Sequence, residues 1–470
     1  MLEFGTGGFR GIIADDFNKT NLKLIAQAIS DIYHERNYHT PIYLGYDYRF
    51  MSDYASVWIS ETLQANNIKV IISKSEVTTP EIMYTCKKNN VDFGIMITAS
   101  HNPYFYNGVK VFQQEGMDAE KVLTDLIEKK INSLKEYKTS PLQEGIRNNL
   151  ISYIDIHDDF INNIASFLTP IKNKNIKVLI DPLYGTGSIT LGHLLNTMGI
   201  KNPTIIHNTH DPLFGGMVPN PTKINLIKDA SLVKENHYDL AISTDSDCDR
   251  LGVLDENGNY VDANEILASL YYYLVKYRGE KGDIVKNLAT SNLVDKVAEK
   301  LGYKCHEVDV GFKNISSAIK KYDALIGGES SGGLTIRNYI FGKDSTFASA
   351  LFLEMVSNLN KPVSKIIKEV KDFASFHYII LEDQMDYKNK EYILKTCKEK
   401  QPKFTYKLKN EVHLNNNYKY YFEDGSWALL RFSGTEKVIR IFVEMPNYED
   451  AKENVKIIKD FVTEIETVGV

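Results

Sequence analysis

Short apolar runs alternate with longer stretches of helical period along most of the chain. The runs from Pro41 to Gly45, Ile68 to Ile72, Phe93 to Ile97, Ile176 to Ile180 and Tyr238 to Ile242 predict buried strands. Asn21 to His34 and Leu150 to Leu168 have the spacing of helices. Further short strands, near Asp283 to Ala289 and Asp323 to Ile326, flank another helical segment. Such alternation implies mostly parallel sheets with helices on both faces. The last hundred residues differ. Tyr378 to Leu381, Val412 to Tyr421, Trp427 to Phe432 and Val438 to Glu444 read as closely spaced strands. Tyr448 to Glu464 then forms an amphipathic helix with Ala451, Val455, Ile458 and Phe461 on one face. That pattern predicts an antiparallel α+β domain at the C-terminus. Breaks are expected near Ser133 to Gln143 and Glu382 to Lys390, and no clear sequence repeat is present.

Composition narrows the class. The 470 residues are 43% hydrophobic and 25% charged, which excludes a largely disordered chain. At roughly 100–200 residues per domain, about three or four domains are expected. A formal charge of −6 argues against a nucleic-acid binder acting through a basic surface. No stretch reaches the length of uninterrupted apolar sequence needed for a membrane span, and the N-terminus lacks the pattern of a signal peptide. Cys86, Cys248, Cys305 and Cys397 are widely spaced without a CxxC pair, so neither a disulfide framework nor a zinc site is expected. A cytoplasmic location is the expectation.

Several loops carry candidate chemistry. Thr98 to Pro103 (TASHNP) follows the strand ending at Ile97. Ser100 is thereby presented at the carboxyl edge of a sheet, where α/β proteins bind ligands. His101 beside it and Lys110 downstream can handle protons, although Asn-Pro also favours a plain turn. Asp245, Asp247 and Asp249 alternate in the loop after Ile242. Three carboxylates so close repel one another unless a cation compensates, and oxygen ligands suit Mg²⁺ or Ca²⁺. The loop is not an EF-hand, because Arg250 stands where that motif needs Gly. Glu329 and Ser331 sit among glycines at Gly327 to Gly333, a composition suited to a polyol and equally to an ordinary loop. Arg431, Ser433 and Thr435 lie in a loop between two strands and can form a nest for an anion, most simply phosphate, although a hairpin turn competes. Gly5 to Gly11 is not a dinucleotide fingerprint: no strand is expected to precede it and its spacing is wrong.

Taken in order, these segments resemble the α-D-phosphohexomutase superfamily, the phosphoglucomutase and phosphomannomutase enzymes. The resemblance runs from FGTGGFRG (Phe4 to Gly11) through TASHNP, NGVK (Asn107 to Lys110), DPLFGG (Asp211 to Gly216), DSDCDR (Asp245 to Arg250) and GGESSGG to RFSGTEKVIR (Arg431 to Arg440). It implies four domains around a cleft, at 1–145, 146–256, 257–372 and 373–470. Three would be related α/β domains with mixed, mostly parallel sheets, and the last a smaller, mobile α+β domain. By the same resemblance, Ser100 is a phosphoserine that passes its phosphoryl group to a hexose phosphate. The hexose 1,6-bisphosphate so formed turns around and returns its other phosphate. Ser100, Asp245, Asp247 and Asp249 would hold Mg²⁺. Lys110 and His101 would act as acid and base, with Arg10 and Arg250 stabilising the transferring group. Glu329 and Ser331 would grip sugar hydroxyls. Arg431, Ser433, Gly434 and Thr435 would hold the distal phosphate, with Lys313 adding a contact. The assembly would be a monomer or homodimer.

Three departures stand out. Ser246 replaces a usual Gly, and a left-handed backbone there would cost a serine about 1 kcal/mol. Gly333 stands where many dual-specificity members place a His, which favours glucose over mannose. Lys437 replaces a frequent Pro. Phosphoglucomutase is therefore the leading expectation. Phosphomannomutase or a dual-specificity enzyme comes next, phosphoglucosamine is disfavoured by the resemblance of the sugar loop alone, and a non-catalytic sugar-phosphate binder or a metal-dependent phosphatase follows.

Overall fold

Each of the expected apolar runs overlaps a strand: Ile42–Tyr46, Val70–Ser73, Gly94–Ile97, Val178–Asp181 and Leu240–Thr244, followed by Ile284–Asn287 and Ile326–Gly328, the last sharing only Ile326 with its run. The computed structural model describes residues 2–5, 7–201, 203–433 and 437–468. Among them, no helix is long and apolar enough to cross a membrane.

In the first sheet Ile42–Tyr46 runs parallel to Val70–Ser73 and Gly94–Ile97, and Tyr106–Gln113 pairs antiparallel with Gly94–Ile97. In the second, Val178–Asp181 is parallel to Thr204–Ile205 and Leu240–Thr244, and Leu251–Leu254 returns antiparallel. In the third, Ile284–Asn287 is parallel to Cys305–Val308 and Ile326–Gly328, and Leu334–Ile336 returns antiparallel. The same arrangement thus occurs three times without a sequence repeat to announce it. In each sheet one loop joins the last parallel strand to its antiparallel neighbour. Those three equivalent loops contain Ser100, the Asp245–Asp249 trio and Glu329. A repeated topology therefore delivers each group to the carboxyl edge of its sheet.

The C-terminal sheet is wholly antiparallel, in the order Ile379–Asp386, Val438–Met445, Trp427–Phe432, Asn417–Phe422, Leu408–Leu414. The helix Tyr448–Val468 buries Ala451, Val455 and Ile458 against it, with Phe461 half-buried. The mixed α/β class with an antiparallel C-terminal domain is the one expected from the pattern.

Three local expectations fail. Leu150 to Leu168 is not one helix: Ile151–Ile154 is a strand parallel to Val70–Ser73, and the helix is His157–Ser166. Pairing at an open sheet edge overrides a spacing that four residues cannot distinguish from helical. Val412 to Tyr421 is two strands, split at Asn415, whose φ of 52° is left-handed, a conformation Asn tolerates. Phe4–Gly5 does form a short strand, paired antiparallel with Gly8–Phe9. It leads into another strand rather than a helix, so no dinucleotide-binding turn results.

One continuous apolar core runs through the three α/β units, whereas the C-terminal domain has its own and meets the third unit at a small cluster of Leu288, Ala289, Trp427, Leu429 and Phe442. The helix Ser345–Leu359 is buried on nearly every side, as a helix apolar all round must be. Its first residue reaches the second sheet's loop, with Ser345 N donating to Cys248 O at 3.1 Å.

Candidate active site

Ser100 is 1% exposed and has a φ of 49°. That left-handed backbone costs a non-glycine residue about 1 kcal/mol, and strain of this kind collects at functional sites. Its Oγ donates to Asp245 Oδ2 at 2.8 Å and lies 3.4 Å from His101 Nδ1. The first and second sheets therefore meet at the serine. The strain expected at Ser246 is absent. Cys248, with φ of 62°, is the left-handed residue of that loop, and its Sγ turns away to Ser345 and Thr346.

Asp245, Asp247 and Asp249 are buried, and one oxygen from each lies within 4.8 Å of the others. Asp245 Oδ1 accepts the backbone N–H groups of Asp249 and Arg250 at 2.8 and 2.9 Å. Lys110 Nζ donates to Asp247 Oδ2 at 2.6 Å and Asp249 Oδ2 at 2.9 Å. Asp247 Oδ1 and Asp249 Oδ1 are buried without a hydrogen-bond partner. Orphaned oxygens in an all-oxygen set fit a hard divalent cation. Burial and the neighbouring Asp249 and Asp247 push the Asp245 carboxyl well above the usual range. Burial acts the same way on Asp247 and Asp249, but Lys110, joined by the Thr79 hydroxyl at Asp247 and by Lys343 and Arg250 at Asp249, outweighs it and lowers both. Burial alone would depress Lys110, yet Asp247 and Asp249 overcome it and raise its pKa, so it stays protonated. Burial, then Arg250 and Arg10, hold His101 well below its ordinary value, so the imidazole is neutral near pH 7. Arg10 Nη1 donates to Asn102 Oδ1 at 2.5 Å, and Arg250 Nε lies 3.9 Å from Asp249 Oδ1.

The third loop closes on the second: Leu251 N donates to Gly332 O at 3.2 Å. Gly332 needs to be glycine, since its φ is 93° and a Cβ would stand 2.7 Å from Leu251 O. Glu329 Oε1 accepts from Asn287 Nδ2 at 3.1 Å and Gly311 N at 3.2 Å, and Oε2 accepts from Ser331 Oγ at 3.2 Å. The Gly311 contact draws the start of the helix Phe312–Tyr322, and with it Lys313, to this loop. Burial and then the charge of Lys121 lower the Lys313 pKa, and the charge of Asp118, also of the first unit, opposes them.

Arg431 and Arg440 are direct partners across antiparallel strands, so both guanidinium groups rise from one face. Burial and then Arg440 lower the Arg431 pKa, and the charge of Glu329 acts on it from the third unit. Glu382 feels Arg440, Arg431 and Arg250, groups from two different sheets. Ser433 N donates to Val438 O at 3.0 Å. Gly434 and Thr435 lie outside the described residues.

Some groups at the site were not singled out by sequence. Thr79 Oγ1 donates to Asp247 Oδ2 at 2.6 Å, and Lys343 Nζ lies 3.1 Å from Asp249 Oδ2. Arg440 doubles the charge beside Arg431. Lys343 had one legible signal: it directly precedes Asp344, which N-caps the buried helix Ser345–Leu359. Thr79, in the first turn of the helix Thr79–Lys88, had none.

Comparison with known proteins agrees with this geometry. Family profiles described as phosphoglucomutase/phosphomannomutase alpha/beta/alpha domain I, II and III match residues 1–138, 158–258 and 262–373, and the C-terminal domain profile matches 390–460. With those four matches, the fold and site define a phosphohexomutase, an intramolecular phosphotransferase. The chain belongs to the phosphoglucomutase/phosphomannomutase family. A phosphoglucomutase/phosphomannomutase of Thermococcus kodakarensis is 29% identical over 97% of both chains. A phosphopentomutase of the same organism is 29% identical over 95% of this chain and 94% of its own. A structure from Thermus thermophilus, assigned as a phosphomannomutase, superposes with a TM-score of 0.84 at 26% identity, covering 98% of this chain and 99% of its own.

Proposed function

We propose that this chain is a phosphoglucomutase, interconverting glucose 1-phosphate and glucose 6-phosphate through a phosphorylated Ser100 and a bound hexose 1,6-bisphosphate. The observation that carries the reading is the 2.8 Å contact from Ser100 Oγ to Asp245, made where equivalent loops of separate sheets converge. Asp245, Asp247, Asp249 and the oxygen on Ser100 would hold magnesium, which supplies charge neutralisation for the transferring phosphoryl group. In the transfer, the bond from phosphorus to the Ser100 oxygen breaks and one to a sugar hydroxyl oxygen forms. In this reading His101, 3.4 Å from Ser100 Oγ, accepts the hydroxyl proton, and Lys110 donates one to the departing Ser100 oxygen. Arg10 and Arg250 stabilise the moving charge. Glu329 and Ser331 orient the sugar, while Arg431 and Ser433, with Lys313 and the Gly434-Thr435 loop, bind the distal phosphate. A fixed distal anion site lets either end of the bisphosphate face the serine.

Glucose is favoured because Gly333 stands where many dual-specificity relatives carry a His, and the Lys343 stem fills the space a side chain there would take. A cytoplasmic setting belongs to the same reading and is supported by four free thiols.

The test is a coupled assay with glucose, mannose, glucosamine and pentose 1-phosphates, each with magnesium and glucose 1,6-bisphosphate. Glucose 1-phosphate should have the highest kcat/KM, and faster turnover of any other sugar overturns the substrate. Intact-mass measurement should find one phosphate that is lost in Ser100→Ala. Inorganic phosphate accumulating faster than isomerised sugar would make the protein a phosphatase.

A further inference from the structure

The backbone of Ser100 is gripped from behind by a side chain outside the carboxylate trio. Arg49 follows the Ile42–Tyr46 strand and is 3% exposed. Its Nη1 donates to the carbonyls of Pro103 and Tyr106, both at 2.9 Å. Its Nη2 donates to the carbonyl of Asn102 at 2.6 Å and to that of Ser100. One planar fork therefore ties four carbonyls of the serine loop. The fork is itself fixed. Its Nε lies 3.6 Å from Asp47 Oδ2, and the Phe214 ring of the second unit covers it at 4.9 Å. Asp47 Oδ1 is held by Arg49 N at 3.0 Å and Ser52 Oγ at 2.9 Å.

The Ser100 carbonyl receives a second donor from another sheet. Ser246 Oγ, fully buried in the carboxylate loop, donates to it at 2.5 Å and lies 3.4 Å from Arg49 Nη2. On the other side of the residue, Ser100 N donates to Thr98 Oγ1 at 2.9 Å. A glycine at 246 would lack that hydroxyl, so the departure noted in the sequence adds a bolt between the serine loop and the carboxylate loop.

We propose that Arg49 and Ser246 are positioning residues for phosphoryl transfer: by fixing the Ser100 carbonyl they hold that residue in its left-handed conformation and aim its Oγ at Asp245. A left-handed serine persists only where its surroundings over-determine it. Lysine cannot replace Arg49, because an ammonium is a point charge and does not present the flat, divergent donors that four carbonyls require. The role rests on the phosphoglucomutase reading for its catalytic consequence, but not for its structural one.

The experiment pairs kinetics with amide hydrogen exchange on Arg49→Lys, Ser246→Ala and the double variant. Exchange at Ser100, Asn102 and Tyr106 should quicken about tenfold in both single variants while the Gly94–Ile97 strand keeps its protection. The kcat should fall about 10²-fold in Arg49→Lys, the scale of a slightly misplaced reacting group. It should fall about fivefold in Ser246→Ala, the scale of one hydrogen bond. KM should stay within about threefold in both. The double variant should lose less than the product of the two, since both side chains act on one carbonyl. Unchanged exchange, unchanged kcat, or a loss that only tracks the fraction of folded protein by circular dichroism overturns the proposal. If Arg49→Lys does not fold, Ser246→Ala decides alone by the same criteria. Faster loop exchange in a protein whose wild type turns over no hexose phosphate would leave the grip standing and reject the phosphoglucomutase reading instead.

Discussion

Adding a single methyl group at Gly333 should disarm a lysine on the neighbouring loop. The backbone at Gly333 is not left-handed, so alanine is conformationally allowed. The obstacle is steric: a Cβ would stand 2.5 Å from Lys343 Cγ and 3.2 Å from Lys343 Cβ, inside normal contact distance. The Lys343 stem has to move, and its ammonium leaves Asp249 Oδ2, now 3.1 Å away. A hydrogen bond between charged groups is worth about 1.5–3 kcal/mol, or about 10- to 150-fold in a rate or equilibrium. Lys110 still holds the same oxygen at 2.9 Å, so the lower end applies, about tenfold in kcat. Lys343→Ala should cost about the same. The double variant Gly333→Ala/Lys343→Ala should be no worse than Lys343→Ala alone, because without the stem there is nothing to displace. The assay is coupled conversion of glucose 1-phosphate to glucose 6-phosphate, with melting temperatures of all variants as a control. Wild-type kcat in Gly333→Ala, or losses that multiply in the double variant, would refute the reasoning.

Asp247→Ala should abolish turnover with the circular dichroism spectrum unchanged, and calorimetric titration should show weaker magnesium binding; normal activity would remove Asp247 from the metal set. Arg431→Ala should raise KM by at least about tenfold with a smaller change in kcat, and an unchanged KM would count against the distal phosphate role. Burial, then the charge of Asp181, push the Asp229 carboxyl up to about 8. A carboxyl raised above its unfolded value of about 4 contributes stability below that pH and loses it as pH climbs toward 8. Asp229→Asn, which cannot ionise, should therefore gain on the wild type in melting temperature between about pH 5 and about pH 8.5. A constant difference across that range would sink the assignment.

The periodicity of the chain carried much of the fold because strands such as Gly94–Ile97 and Leu240–Thr244 are fully buried and read as short apolar runs. It misled at Ile151–Ile154, where the partner that makes a strand lies far away at Val70–Ser73. The same division holds at the site. The carboxylate trio announces itself, because three alternating carboxylates repel unless a cation compensates, whereas TASHNP reads locally as a plain turn and Ser100 stands out only through the ordered set of motifs.

The sequence by itself thus determined the alternation of elements, the antiparallel character of the C-terminal domain, and the loops that carry the candidate chemistry. Only the tertiary structure decided that Ser100 meets Asp245 across 145 residues of chain, that Thr79 and Lys343 reach Asp247 and Asp249, and that Arg49 stands behind the serine. Local spacing governs which element a segment forms. Which loops meet is set by how the shared core stacks three sheets of like topology, and that information is spread over the whole chain.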